Sequence, residues 1–158
     1  MQYVGIVGAR KYKDRQSVID LIHSLPEDSI IITSSCRGVC TWANEEAKVI
    51  GLKVRIYSPD LTGVASRPEM VERYYQRNRE LISKCEIVHA FISQEDGLTG
   101  GTRYEVQYAK RLNKELVLHW ENDKVQRTGQ RSLPFDHEEK DFSNSWMNFF
   151  SEALGQVP

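Results

Sequence analysis

Glu86-Ile-Val-His-Ala-Phe-Ile92, followed shortly by Gly97-Leu-Thr-Gly-Gly-Thr-Arg-Tyr-Glu105, reads as a buried strand, a glycine-rich turn and a helix opening on Thr102. Free backbone N–H groups at a helix start, with glycines allowing close approach, make a seat for a phosphate. Gly100, Gly101 and Thr102 are the candidate contacts. The same turn brings a carboxylate, Glu105, close to whatever occupies that seat.

Outward from this stretch, apolar runs alternate with helical patterns. Tyr3–Val7, Ser29–Thr33, Lys53–Tyr57 and Glu115–Trp120 read as further strands. Helices are expected over Ser17–Leu25, over Trp42–Ile50 with a stop at Gly51, from Pro68 to Cys85, and over Thr102–Leu112. Strands this apolar, separated by helices, predict one doubly wound α/β domain of Rossmann-like type over 1–120. Its sheet is five-stranded, mainly parallel and covered by helices on both faces. Ligands of such folds bind beyond the carboxyl ends of the strands, at the switch point in strand order. The loops Gly8–Tyr12, Ser34–Cys40 and Ser93–Thr102 would all open there.

Segment 121–158 differs. Glu121 to Asp141 is polar and without period, longer than most structureless loops. Asn144 to Leu154 reads as a short amphipathic helix packing on the same domain. Its aromatics Trp146, Phe149 and Phe150 also suit a homodimer contact.

Composition sets the outer bounds. The chain has 158 residues, 40% hydrophobic and 27% charged, ordinary for one soluble domain. Its formal net charge of −1 argues against nucleic acid as the main partner, because phosphate-backbone binding needs a basic excess. No run approaches the roughly 18 apolar residues of a membrane span. The N-terminus enters a strand pattern directly, without a signal-peptide layout. Cys36, Cys40 and Cys85 form neither an even framework nor a C-x-x-C pair, so reduced thiols in a cytoplasmic protein are expected. Four scattered histidines show no metal-ligand spacing, and no cofactor is implied.

Several side chains have both a structural and a chemical reading. Thr102-Arg-Tyr-Glu105 fits a capping box, with Glu105 reaching back to the cap. Alternatively Glu105 faces the ligand, since about 100° per residue puts it on one face with Ala109 and Leu112. Asn78 falls mid-arc among Met70, Val71, Tyr74, Leu81, Ile82 and Cys85, with Arg77 at the edge. Either Asn78 bonds nearby backbone while Arg77 snorkels, or both reach into the cleft, Arg77 to an anion and Asn78 to a ribose or a neighbouring loop. Gly8-Ala9-Arg10 turns tightly and offers a guanidinium. Ser34-Ser35-Cys36-Arg37-Gly38 combines hydroxyls, backbone donors and a cation before a helix start. Tyr74, Tyr75 and Trp42 read as core.

Taken together, Val7-Gly-Ala-Arg10, Ser34-Ser-Cys-Arg-Gly-Val39 with Trp42-Ala-x-Glu45, Arg77-Asn-Arg-Glu-Leu81 and Gly100-Gly-Thr-x-x-Glu105 resemble the SLOG superfamily of Rossmann-like nucleotide-binding proteins. That group includes the lonely-guy (LOG) phosphoribohydrolases, the DNA-processing protein DprA and many small uncharacterised proteins, the last closest in pattern. LOG enzymes cleave the N-glycosidic bond of nucleoside 5′-monophosphates. The resemblance implies Glu105 and Arg77 as catalytic residues and Gly101 and Thr102 at the phosphate. LOG proteins carry Pro-Gly-Gly-x before their Gly-Thr, where this chain has Gly97-Leu-Thr-Gly100. Cys40 stands where small relatives often place Asp. The expected ligand is a nucleotide-type small molecule, either hydrolysed or held by a non-catalytic sensor. An ionised Glu105, favoured by the helix dipole, would stabilise the sugar cation and be a poor proton donor. The sequence names no donor for the leaving base.

Overall fold

Alternate residues of each inner strand enter opposite cores, and the two cores together build the domain. The computed structural model describes residues 1–121. Five strands, β1 (Tyr3–Gly8), β2 (Ile30–Ser34), β3 (Lys53–Tyr57), β4 (Ile87–Ile92) and β5 (Glu115–Trp120), form one sheet in the order β3-β2-β1-β4-β5. All pairings are parallel. Four helices connect them: α1 (Arg15–Ser24), α2 (Val39–Val49), α3 (Arg67–Lys84) and α4 (Gly100–Arg111).

On one face Val4, Ile6, Ile31 and Phe91 pack under Val18 and Ile22 of α1 and Val39, Ala43 and Ala47 of α2. On the other, Val7, Ile32, Val88 and Ala90 meet Leu81 and Ile82 of α3 and Val106 and Ala109 of α4. The central strands β2 and β4 are buried throughout, whereas the edge strands β3 and β5 are largely half-buried or exposed. This is the predicted doubly wound α/β architecture.

All four helices begin earlier than the sequence pattern indicates, α3 by a single residue. Asp14 caps α1 by accepting from the Ser17 N–H at 3.2 Å. Gly38 precedes α2 with φ of 80°, a left-handed backbone that favours glycine. Thr99, not Thr102, is the N-cap of α4. At the start of α3, Ser66 accepts from the Glu69 N–H, and Glu69 returns a bond to the Ala65 N–H at 2.9 Å.

The histidines, scattered in sequence, include one pair brought together by the sheet. His89 Nδ1 lies 2.9 Å from His119 Nε2 across β4 and β5, and burial pushes His89 down to about 4. Among the described residues no cluster of three or more potential metal ligands forms. Nor is any described helix long and apolar enough to cross a membrane. The polar stretch after Glu121, the expected helix Asn144–Leu154 and its aromatics lie outside the described residues.

At Gly8, β1 approaches α2 and β4 too closely to leave room for a side chain. A Cβ at Gly8 would lie 2.8 Å from Val39 Cγ2 and 2.9 Å from Phe91 Cβ. Gly8→Ala is therefore expected to destabilise the protein by about 1–3 kcal/mol, as overpacking does. Denaturant titration checks this, and an unchanged midpoint would mean that α2 yields freely.

Candidate functional site

Where the chain turns from β1 towards β2 and later from β4 towards β5, neighbouring loops diverge and leave a cleft. Its cavity is about 140 Å³, well above the roughly 10–15 Å³ that one ordered water needs on this measure. Gly8, Ala9, Arg10 and Lys11 line it from the β1 loop, Ser34, Cys36 and Cys40 from the β2 side, and Arg77 and Asn78 from α3. Asp96, Thr99, Gly100, Gly101, Thr102 and Glu105 complete it from β4 and α4.

The start of α4 leaves its first amides without helical acceptors, an arrangement that suits an anion. Thr99 makes no side-chain capping hydrogen bond, and the first helical backbone bond is Arg103 N–H to Thr99 O at 3.2 Å. The amides of Gly100, Gly101 and Thr102 thus belong to the turn that has no intrahelical acceptors, with the positive end of the helix dipole behind them. With Thr99 as cap, Glu105 lies a full turn too deep for a capping box. That reading fails, and the carboxyl goes to the cleft wall instead.

Arg77 supplies the second, independent sign of a ligand. The residue is only 5% exposed, yet its Nη1 is buried without a hydrogen-bond partner among the described residues. Its Nε donates to Asn78 Oδ1 at 2.7 Å, and Nη2 points at Cys36 Sγ, 3.7 Å away. The guanidinium also lies 5.4 Å from the centre of the Tyr74 ring. An unpaired donor on a buried cation costs about 1–3 kcal/mol or more, a penalty that an anionic ligand would remove. Arg77 is thus no surface snorkeller, and Asn78 orients it rather than bonding backbone through that oxygen.

Glu105 departs from expectation in charge. Burial pushes its carboxyl up to about 7, against the smaller opposing influence of Arg77. Near neutral pH it is therefore divided between acid and carboxylate rather than fully ionised. Desolvation dominates because the residue is only 9% exposed, and it lies beyond the first turn of α4, where the dipole acts most strongly. Cys40 is also held protonated, its thiol raised chiefly by burial. Ser34 Oγ donates to its sulfur at 3.3 Å and accepts from the Cys36 N–H at 3.2 Å, fixing the β2 loop.

Of the sequence-predicted contacts, Gly8, Ala9, Arg10, Ser34, Arg77, Asn78, Gly100, Gly101, Thr102 and Glu105 come together in the cleft. Ser35 and Arg37 are exposed and outside its lining, and Ser35 Oγ accepts from Ser58 Oγ at 3.0 Å. Gly38 supports the wall from behind, since a Cβ there would lie 3.2 Å from Arg10 O. Sequence reasoning passed over Lys11, Asp96 and Thr99. Lys11 pairs with Glu95 at 3.4 Å and Asp96 at 3.7 Å, an exposed link that contributes little to stability. The signal for Thr99 was available in its place before two glycines at a helix start.

The X-ray structure of DNA processing protein A (DprA) from Streptococcus pneumoniae superposes with a TM-score of 0.58 at 15% identity, covering 96% of this chain and 56% of that one. At that identity the similarity establishes the shared fold, and this chain spans little more than half of that protein. No family model and no curated protein matches the chain.

Because folding carries Glu105 from an ordinary value of 4.5 to about 7, the folded form holds a proton that the unfolded chain has released. Stability contributed by the neutral acid is complete below the lower value and is lost as pH rises towards the upper one. The loss is on the order of 3 kcal/mol above it. Glu105→Gln, which cannot ionise, is expected to melt higher than wild type at about pH 8 and alike at about pH 4.5. Melting curves across that range check this, and a pH-independent difference would contradict it.

Proposed function

We propose that the cleft binds a nucleotide-type ligand by its phosphate and hydrolyses the N-glycosidic bond of a nucleoside 5′-monophosphate. The observation that carries this is the meeting of three features in one cavity: uncapped α4 amides, a buried guanidinium with an unused donor, and a half-protonated carboxyl. Anchored by Gly100–Thr102 with Arg10, a 5′-phosphate leaves its ribose within the cavity that Glu105 and Arg77 line. The resemblance of the four motifs to SLOG proteins supports the nucleoside part of the reading.

The raised Glu105 supplies the proton donor that the sequence did not name. As the C–N bond breaks, its electron pair passes to the base nitrogen, which takes the Glu105 proton. The carboxylate so formed faces the positive charge growing on the sugar and stabilises it. Water then adds to the anomeric carbon and returns its proton to Glu105, leaving free base and ribose 5-phosphate.

A second reading is a module that holds the nucleotide unchanged. The departure at Gly97-Leu-Thr-Gly100 from the LOG pattern favours it. Localisation in the cytoplasm and assembly as a homodimer belong to the same proposal, with no membrane role.

Incubation with a panel of nucleoside monophosphates, followed by chromatography for free base, separates the two readings. Release of base is expected, with kcat falling as pH rises through about 7 because the acid form is required. Glu105→Gln should lower kcat by about 10²–10⁴-fold, the range for loss of a proton donor. Base release unchanged in that variant would remove Glu105 from the reaction. Binding without any release would leave the module.

A further inference from the structure

Glu121 follows the last strand, and neither the sequence pattern nor the proposed chemistry gives it a role. It is nevertheless only 7% exposed. Its Oε2 accepts from the Lys13 N–H at 2.5 Å and the Asp14 N–H at 3.2 Å, both in the loop leaving β1. Its Oε1 accepts from the Gln94 N–H at 3.0 Å, in the loop leaving β4. Its own N–H donates to Ile92 O at 2.9 Å, extending the β4–β5 ladder and fixing where the side chain starts.

One carboxylate thus receives three backbone donors from two loops far apart in sequence. Those are the loops that line two edges of the cleft, Ala9–Lys11 on one side and Asp96 with Thr99–Thr102 on the other. Few other groups can do this. A backbone carbonyl offers a single oxygen, and a neutral amide presents its NH2 group to one of the two loops. Bonds from backbone N–H to an ionised acceptor are also stronger than neutral ones, so the span is held against loop entropy.

We infer that Glu121 is a positioning residue that sets the spacing between the two anion-binding loops and so preorganises the cleft. It touches no ligand and acts through the backbone at Lys13, Asp14 and Gln94. The affinity part of this inference rests on the proposed nucleotide site, while the loop-spacing part does not.

Amide hydrogen exchange on full-length wild type, Glu121→Gln and Glu121→Ala, paired with titration by adenosine 5′-monophosphate and inorganic phosphate, tests both parts. In Glu121→Ala, exchange is expected to accelerate about tenfold at Lys13, Asp14 and Gln94 and also at Ala9–Lys11 and Thr99–Thr102. The Kd for adenosine 5′-monophosphate should rise about tenfold. Glu121→Gln keeps one acceptor and the side-chain volume, so it should protect one loop only and restore affinity in part. Exchange confined to the three bonded amides, or loosened loops with unchanged affinity, would overturn the inference. Should wild type bind neither probe, the nucleotide reading falls by itself. Exchange then decides the loop-spacing part alone, acceleration in both cleft loops upholding it and wild-type protection overturning it.

Discussion

Parallel pairing of β1 with β4 is the constraint on which the cleft depends. Val4 to Gly8 run beside Ile87 to Phe91, and the Ala9 N–H continues the ladder by donating to Phe91 O at 3.1 Å. After β1 the chain moves to one side of the sheet, through β2 and β3. After β4 it moves to the other, to β5. Two loops that leave adjacent strands are thereby sent in opposite directions, and no side chain need be sacrificed to hold a hollow open between them. The absence of a Cβ at Gly8 lets Val39 and Phe91 close over the floor, so that the β2 loop also reaches the same hollow.

The charges within that hollow follow from burial more than from residue count. Arg77 brings a cation into the wall, although one of its donors lacks an acceptor among the described residues. A carboxyl next to it has an alternative: taking up a proton is cheaper than remaining ionised in a poorly solvated wall. With Cys40 likewise neutral, the described cleft carries Arg10, Lys11 and Arg77 against Asp96 and a partly protonated Glu105. The chain's overall charge of −1 conceals this local positive excess. An anion entering the cleft would find donors already oriented, which is why binding there would require little reorganisation.

Much of this was legible in the sequence, for reasons that are local. Runs such as Ile87–Ile92 and Ile30–Thr33 can only be strands buried on both faces, and their alternation with amphipathic helices fixes a parallel sheet. The loops that line the cleft follow from that topology, so Gly8–Arg10, Ser34 and Gly100–Thr102 were found. What escaped depends on atoms distant in sequence or on three-residue shifts of phase. Thr102-Arg-Tyr-Glu105 satisfies a capping pattern, but Thr99 starts the helix a turn earlier because Gly100 and Gly101 join it. The ionisation of Glu105 is set by packing that no dipole argument contains. The joining of His89 to His119 and the reach of Glu121 to Lys13, Asp14 and Gln94 both need the strand order first. Ser35 and Arg37 show the converse: a suitable residue type in the right loop still points away when the turn rotates it outward.

Cys40 shows how one neutral group redirects the balance of such a site. An aspartate at this position would add a negative charge to the lining of the cleft. A thiol buried at 2% exposure and bonded by Ser34 Oγ supplies bulk without charge. Of the Arg77 nitrogens, Nη1 alone is left buried without an acceptor among the described residues. A neutral thiol there also spares Glu105 a negative neighbour that would have raised its proton affinity further. Holding Glu105 near neutrality, where it can both give and take a proton, therefore needs only burial and one cation. A ligand bringing its own negative charge would complete the set that the protein leaves one anion short.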